Sequence, residues 1–529
     1  MCDKAKKLFL PTDKKSYLIL LFLGSLFLYY YFPQALIVNE DISLVYAMEV
    51  DAGSIMESIL GLYETPYYSM FNSYHSKYYG WSYFVITFVL LTPIKIISYL
   101  FFNSNPQIDF TSIRLIFLLI GICTIYFSYL LFDKITKGNE RVLVVLLCLA
   151  IIFPPVTNLY YKLHPETTGI LFVTLSLIML MNYIQDIKFK NYTYSVIFLA
   201  TASSAKQVFF FASLPILFLY YKLFSTEQKL PYIKYLKSKN FYLLFKNTIL
   251  IAALIFFLFN PYVLVNLPEF IARQGSLLIG FQGENVSTVE SLFKWMDIID
   301  NDPIYLISLL LCPLNLFYSW IFLLKKSKSK YTYLNIFNCI NILILFFMLV
   351  KGNQYAYSSH YLIPLNIFLY LNILAISIYF FSNKNKYIVT FARLFVYSIF
   401  AISIYSNFNV IQSQLDSRLD YLNLTPYKTY SYIKNLTLNN KNLKITHDHH
   451  VALPSTLKNG CHFWNKCSGN NIYNFEPDYI FFDSTWTYMG KPHEATDILN
   501  IYVKENNMIL IDKIDNISIY KPNVMTDTK

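Results

Sequence analysis

Charge is what this chain has least of. Asp, Glu, Lys and Arg make up only 14% of its 529 residues, against about 25% in a soluble domain. With a mean hydropathy of +0.41, that scarcity excludes an ordinary water-soluble enzyme. Also missing are a GxGxxG fingerprint, a Walker A loop, an internal repeat and a low-complexity linker. ATP-driven transport and Rossmann-type chemistry therefore have no residues to rest on. Cysteine is sparse, with seven in the chain. Cys123, Cys148, Cys312 and Cys339 lie in apolar runs and read as packing residues, and Cys2 sits in a basic tail. Cys461 and Cys467 stand apart in CHFWNKC, inside a polar region. They read as one disulfide, which needs an oxidising compartment. Their separation is not a usual zinc spacing.

What remains is apolar and aromatic. The 47 Tyr and 46 Phe come with abundant Asn, Lys and Ile, a pattern that an AT-rich genome also produces, so the aromatic content alone makes no case for sugar stacking. The formal charge of +11 comes mostly from short Lys clusters in loops. That is the pattern of cytoplasmic loops in a membrane protein rather than of a nucleic-acid binder. The basic start MCDKAKKLFLPTDKK runs into Ser16–Asn39, which carries no charge. It is too long for a signal-peptide core, so a first membrane helix with a cytoplasmic start is expected.

Further charge-poor runs cover 78–108, 115–132, 142–161, 167–185, 191–221, 247–268, 303–324, 331–350, 352–383 and 394–415. At about 20 residues per crossing they give about 11 spans, or about 12 if 191–221 breaks at Lys206. The lysines of 222–246, KKSKSK (325–330) and NKNK (383–386) are expected in the cytoplasm. Strict alternation then sends DKITKGNER (133–141) outside despite its basic residues. The other reading keeps that loop inside, moves His164–Glu166 outside and splits 191–221 into two short helices meeting at Lys206. From about residue 409 polar residues rise. PDYIFFD (477–483) reads as a buried strand, and MILIDKIDNISIYKP (508–522) as two strands around a turn at Asp515-Asn516. The expected fold is mainly α: a polytopic membrane helical bundle over 1–408 with a first outer loop at 39–78, followed by a small extracytoplasmic α/β domain over 409–529. An inner (plasma) membrane location, with the N-terminus cytoplasmic, fits this plan.

Residues 39–53, NEDISLVYAMEVDAG, follow the first span directly. Ile42, Val45 and Tyr46 have helical spacing, and Ile55, Ile59 and Leu62 share a face of a second short helix. Such helices suit a membrane surface. Glu40 and Asp41 sit where they begin. A carboxylate there either ends the helix at the interface or takes a proton from an acceptor hydroxyl or amine. HDHH (447–450) places His447 and His449, or Asp448 and His450, on one strand face. A structural or substrate-facing role suits it better than a metal, because only His462 lies near as a further ligand.

The acidic pair after span one resembles the first outer loop of the membrane-embedded GT-C glycosyltransferases, the class of the protein O-mannosyltransferases and aminoarabinose transferases. Later segments resemble theirs in order: HSKYYGW (75–81), HPE (164–166), SSAKQVFFFASLP (203–215), NPYVLVNLPEF (260–270) and SSHYLIPL (358–365). The likeness covers roughly residues 15–400. His360 stands where the family often has Arg, and the acids run Glu-Asp rather than Asp-Glu. The resemblance implies inverting transfer of a sugar from a polyprenyl- or dolichyl-phosphate donor to a lipid, glycan or protein acceptor, in the cell envelope and without nucleic acid. It implies Glu40 or Asp41 as base, Lys77, Lys206, Arg273 and His360 as candidates for the donor phosphate, and His75, His164 and Glu166 as substrate-binding. No cofactor is firmly implied; a divalent cation stays open, with no metal ligands assigned. A lysine inside the membrane costs about 2.5–3.5 kcal/mol on insertion scales, which singles out Lys206. A polytopic transporter or flippase of lipid-linked glycans is the alternative.

Overall fold

A computed structural model of the chain describes residues 10–523 apart from 12, 38–40, 49, 67–80, 103–104, 156–159, 161–162, 187, 207–208, 210–233, 235–236, 273–287, 301, 325–329, 352–361, 441, 449–450, 458, 463–470, 484–486, 489–490 and 493. The chain is mainly α. Among the described residues, its helices of seven residues or more up to Asn439 are α1 Lys14–Ala35, α2 Ile42–Met48, α3 Val50–Glu64, α4 Ser82–Phe102, α5 Pro106–Thr136, α6 Arg141–Ile152, α7 Pro165–Asp186, α8 Phe189–Ala205, α9 Lys239–Phe259, α10 Thr288–Asp300, α11 Pro303–Leu324, α12 Lys330–Lys351, α13 Ile363–Phe381, α14 Lys386–Leu419 and α15 Thr425–Asn439. Among the described residues, seven helices are long and apolar enough to cross a membrane: α1, α4, α5, α7, α9, α13 and α14. Three shorter apolar stretches, Arg141–Ile152, Pro303–Ser319 and Asn338–Phe347, accompany them. This is a polytopic membrane protein.

The chain divides into two compact units. One comprises Met1–Ala35, Ser58–Thr92 and Arg114–Gln414; the other comprises Leu36–Glu57, Pro93–Ile113 and Leu415–Lys529. The composition shift near 409 falls inside α14, which runs unbroken to Leu419.

In the first unit, helix ends are fastened by charge. Asp13 caps α1 through Ser16 N–H (2.8 Å) and also accepts from Arg141 Nη2 at the head of α6. Glu140, one residue earlier, accepts from Arg393 Nη2 of α14 at 2.7 Å. The loop before α6 therefore lies at the same end as the start of α1. At the other end, Tyr31 Oη donates to Ile152 O (2.8 Å), and Tyr31 and Phe27 pack on Tyr160. Of the two readings of residues 103–222, these contacts favour the one that keeps 133–141 beside the N-terminus. The break at Lys206, part of that same reading, is present: α8 stops at Ala205, and Lys206 is extended. Helices α11, α12 and α13 are joined by side-chain amides. Asn372 donates to Ser308 O and accepts from Asn315, and Asn338 donates to Phe368 O. Such polar links hold helices together where lipid supplies no hydrophobic drive.

The second unit holds the sheet. Its strands are β1 Lys444–His447, β2 Asn459–His462, β3 Tyr479–Asp483, β6 Met508–Ile514 and β7 Ile517–Pro522, in the order β2-β1-β3-β7-β6; β4 Thr487–Tyr488 and β5 Lys491–Pro492 form a separate pair. β1 is parallel to β2 and β3, while β7 is antiparallel to β3 and β6. Alternation sorts the side chains of β3. Ile480 and Phe482 pack with Leu499 and Tyr502 of α16 (Glu494–Glu505), whereas Phe481 packs with Ile433 of α15 and with Ile445 and Ile519. The sheet thus lies between two helices, and the expected buried strand and hairpin turn are both in place. Asp515 at that turn has φ 51°, a backbone that Asp tolerates. Cys461 takes part in a disulfide. Its expected partner Cys467 lies outside the described residues.

Candidate functional site

Two places in the molecule concentrate chemistry, one in each unit. In the first unit, α7 and α8 form an antiparallel hairpin. Its middle is fixed by reciprocal bonds, Ser176 Oγ to Ser195 O (2.9 Å) and Ser195 Oγ to Ser176 O (2.8 Å). Counting outward from that pair brings the head of α7 level with the end of α8. Pro165 starts α7, a position where its missing N–H costs nothing, and Thr167 N–H bonds to His164 O at 3.2 Å. Glu166 lies in the first turn, where unpaired N–H groups favour an anion, and Lys206 follows the last carbonyls of α8, which favour a cation. Lys206 Nζ donates to Glu166 Oε1, and His164 Nδ1 lies 3.8 Å from Glu166 Oε2. Glu166 is 1% exposed and His164 is buried. One turn on, Phe209 packs so closely on Gly169 that a Cβ there would meet its ring. Three residues read from sequence as substrate- or phosphate-binding are thus brought together. The geometry adds that Lys206 already has a counter-ion, so an anionic ligand would have to share it with Glu166.

In the second unit, Asp41 is buried, 6% exposed. Its Oδ1 accepts from Ser43 N–H (3.1 Å), capping α2. Its Oδ2 accepts from Ser455 N–H (2.7 Å) in the loop after β1. Leu44 and Ala47 of α2 pack with Tyr427 and Tyr430 of α15 and with Ala452. The first loop is therefore docked on the polar domain, and both Asp41 oxygens are engaged by backbone N–H groups. The two expected short helices are present, with Ile55, Ile59 and Leu62 buried. Glu40, His75, Lys77, Arg273 and His360 lie outside the described residues.

Two buried acids went unnoticed in the sequence. Asp109, 3% exposed, sits in the first turn of α5 and accepts from Lys95 Nζ of α4 at 2.6 Å. Asp302 caps α11. Its Oδ1 accepts from Ile304 and Tyr305 N–H (2.8 and 3.1 Å), and its Oδ2 accepts from Ser403 Oγ and Asn407 Nδ2 (2.6 and 2.7 Å). The signal for Asp302 is an Asp directly before Pro at the head of an apolar run. Four donors on one carboxylate make it a structural cap joining α11 to α14.

Near HDHH, Asp448 is buried; its Oδ2 accepts from Asp483 N–H at 2.7 Å, and its own N–H donates to Phe481 O at 3.1 Å. Among the described residues no cluster of three or more His, Cys, Asp or Glu is placed to hold a metal ion. Neither a protein-family model nor a curated protein matches the chain.

Proposed function

We propose that the protein is an integral membrane glycosyltransferase of GT-C type, which moves a sugar from a polyprenyl- or dolichyl-phosphate donor to an acceptor on the extracytoplasmic face. The observation that carries this reading is the acidic pair at the head of the first loop, together with the engagement of both Asp41 oxygens. Asp41 spends both oxygens on backbone amides and holds the loop against the polar domain. Glu40, the neighbouring acid, is then the base. It takes the proton from the acceptor hydroxyl or amine as that atom attacks the anomeric carbon and the lipid phosphate leaves, with inversion.

Lys77, Arg273 and His360 are the cations proposed for the donor phosphate. Lys206 joins them only by sharing its charge between Glu166 and the phosphate. His164 lies beside that carboxylate and would hydrogen-bond the donor. A divalent cation, if one assists, would act at the donor phosphate.

The test uses vesicles with radiolabelled polyprenyl-phosphate sugar. Glu40→Gln should abolish transfer while leaving the protein's level in the membrane unchanged. Full transfer by that variant would remove the base and the reading with it. The transporter reading draws on one feature, a buried acid–base pair where a helix breaks off at Lys206, which also suits ion-coupled carriers. It predicts flux of a lipid-linked glycan that Glu40→Gln leaves intact.

A further inference from the structure

Away from both places described above, the first unit has an open cavity of about 470 Å³ at the end of the bundle where α1 and α6 begin. It lies between the turn 138–142 and two residues of α14, Arg393 and Tyr397. Two guanidinium groups dominate its lining. Arg141 gives an Nη2 bond to Asp13, and Arg393 gives one to Glu140 at 2.7 Å. Arg393 also lies over the Phe381 ring, 5.3 Å from its centre. Both cations are thus held in place, yet neither is saturated. A guanidinium has five N–H groups. The side chains of Arg141 and Arg393 are 33% and 43% exposed, and neither Nε has a hydrogen-bond partner among the described residues. The head of α6 opens on the same cavity, and its N-cap Glu140 makes no side-chain cap bond; a helix head favours an anion.

The surroundings add charge and grease. In the lining, two arginines stand against one glutamate. Asp13 balances Arg141, but exposed Lys14, Lys15, Lys137, Lys384 and Lys386 adjoin these residues in the chain. Val142, which lines the cavity, is exposed, as are Phe391, Leu394 and Phe395 beside Arg393 on α14. Helix α14 is long and apolar enough to cross a membrane, and the rest of the chain covers little of it. A soluble anion would meet only the charge here, whereas a lipid meets the charge and a surface for its chains.

We propose that this cavity seats the phosphodiester of an anionic phospholipid, with Arg141 and Arg393 donating to its two free oxygens and the acyl chains lying along the exposed face of α14. The planar fork of arginine grips phosphate oxygens in a geometry that lysine does not offer. Basic residues at a membrane surface draw anionic lipid towards it, and the cavity then holds one molecule in a defined seat. The proposal stands apart from the transferase reading and shares none of its residues.

The experiment titrates the full chain in detergent with phosphatidylglycerol and counts bound lipid by native mass spectrometry. One phosphatidylglycerol should bind more tightly than any phosphatidylcholine, whose choline cation would stand against the two guanidiniums. Arg393→Gln should weaken that binding about tenfold, the scale of one hydrogen bond to a charged group. The exposed pair with Glu140 adds little to stability, so this variant should melt like the parent. If it melts early, Arg393→Lys decides in its place, because it keeps the charge and loses the fork; it should weaken binding severalfold. The double variant Lys384→Gln/Lys386→Gln removes two charges from the same helix head and leaves the cavity intact, so it should bind like the parent. The proposal falls if phosphatidylcholine binds equally well, or if the folded Arg393 variant binds like the parent. It falls too if the double lysine variant loses as much as Arg393→Gln, which would mean diffuse attraction and no seat. Displacement of the lipid by excess inorganic phosphate would assign the cavity to a free anion and end the lipid reading.

Discussion

Glu166 and Asp41 are both acids at the head of a helix, both nearly shut off from water, and they are held by opposite means. Glu166 faces a lysine ammonium across a helix hairpin. Asp41 faces two backbone amides, one from its own helix and one from the loop after β1. A charge partner neutralises the acid and makes each member of the pair dependent on the other. Amide partners leave the negative charge in place and fix the course of the backbone. The first arrangement suits a site where charge is handled, the second a joint.

The largest effect expected follows from the charge pair. Removing one partner of a buried ion pair costs about 3–5 kcal/mol, whereas replacing both by apolar side chains of similar size is often neutral. Lys206→Met should therefore lower the melting temperature of the purified protein sharply, and adding Glu166→Leu should recover most of the loss. If the single change melts like the parent, the pair is not the closed ionic contact described here. The amide-held acid should behave differently. Asp41→Ala loses a helix cap worth about 1 kcal/mol and leaves the Ser455 amide without its acceptor. Hydrogen exchange is the sharper readout: amides around Ser43 and Ser455 should exchange faster in Asp41→Ala and stay unchanged in Lys206→Met. Faster exchange near Ser455 in both variants would blur the distinction between site and joint.

Much of this was legible in the sequence because lipid simplifies the code. Uncharged runs mark helices, and α11 spans the same residues, 303–324, as its run. The hairpin at Asp515 and the buried strand at 479–483 follow from period two and turn chemistry. At 133–141 the basic residues and strict alternation pointed opposite ways, and the sequence left the choice open, because the pairings that fix this loop, Arg141 with Asp13 and Glu140 with Arg393, join residues over a hundred positions apart. The same limit hid the role of Asp41. Its cap on α2 is local and readable, but its bond to Ser455 spans 414 residues. Lys206 announced itself as a costly charge inside an apolar run. Its partner was identified only through the hairpin that sets Glu166 opposite it.

The smallest effect separates a surface pair from both buried acids. At the β6–β7 turn, Asp515 accepts from Lys428 Nζ (3.0 and 3.1 Å) and from Thr425 Oγ1 (2.9 Å) at the head of α15. The Lys428 hydrogen bond and then that of Thr425 hold the Asp515 carboxyl below its usual range. A carboxyl whose folded value is depressed stabilises the fold above the unfolded value, near 3.9, and loses that contribution as pH falls through the folded value. Both side chains are 40% exposed, so solvent screens the pair and its worth is roughly 0.2–1 kcal/mol. Asp515→Asn should thus lower the melting temperature slightly at neutral pH and not at all in strong acid. Raising salt to about 1 M should shrink the difference further, because the screening length falls to about 3 Å. A loss as large as that of Lys206→Met, or one that survives at low pH, would mean that Asp515 supports the turn through its backbone conformation rather than through its charge.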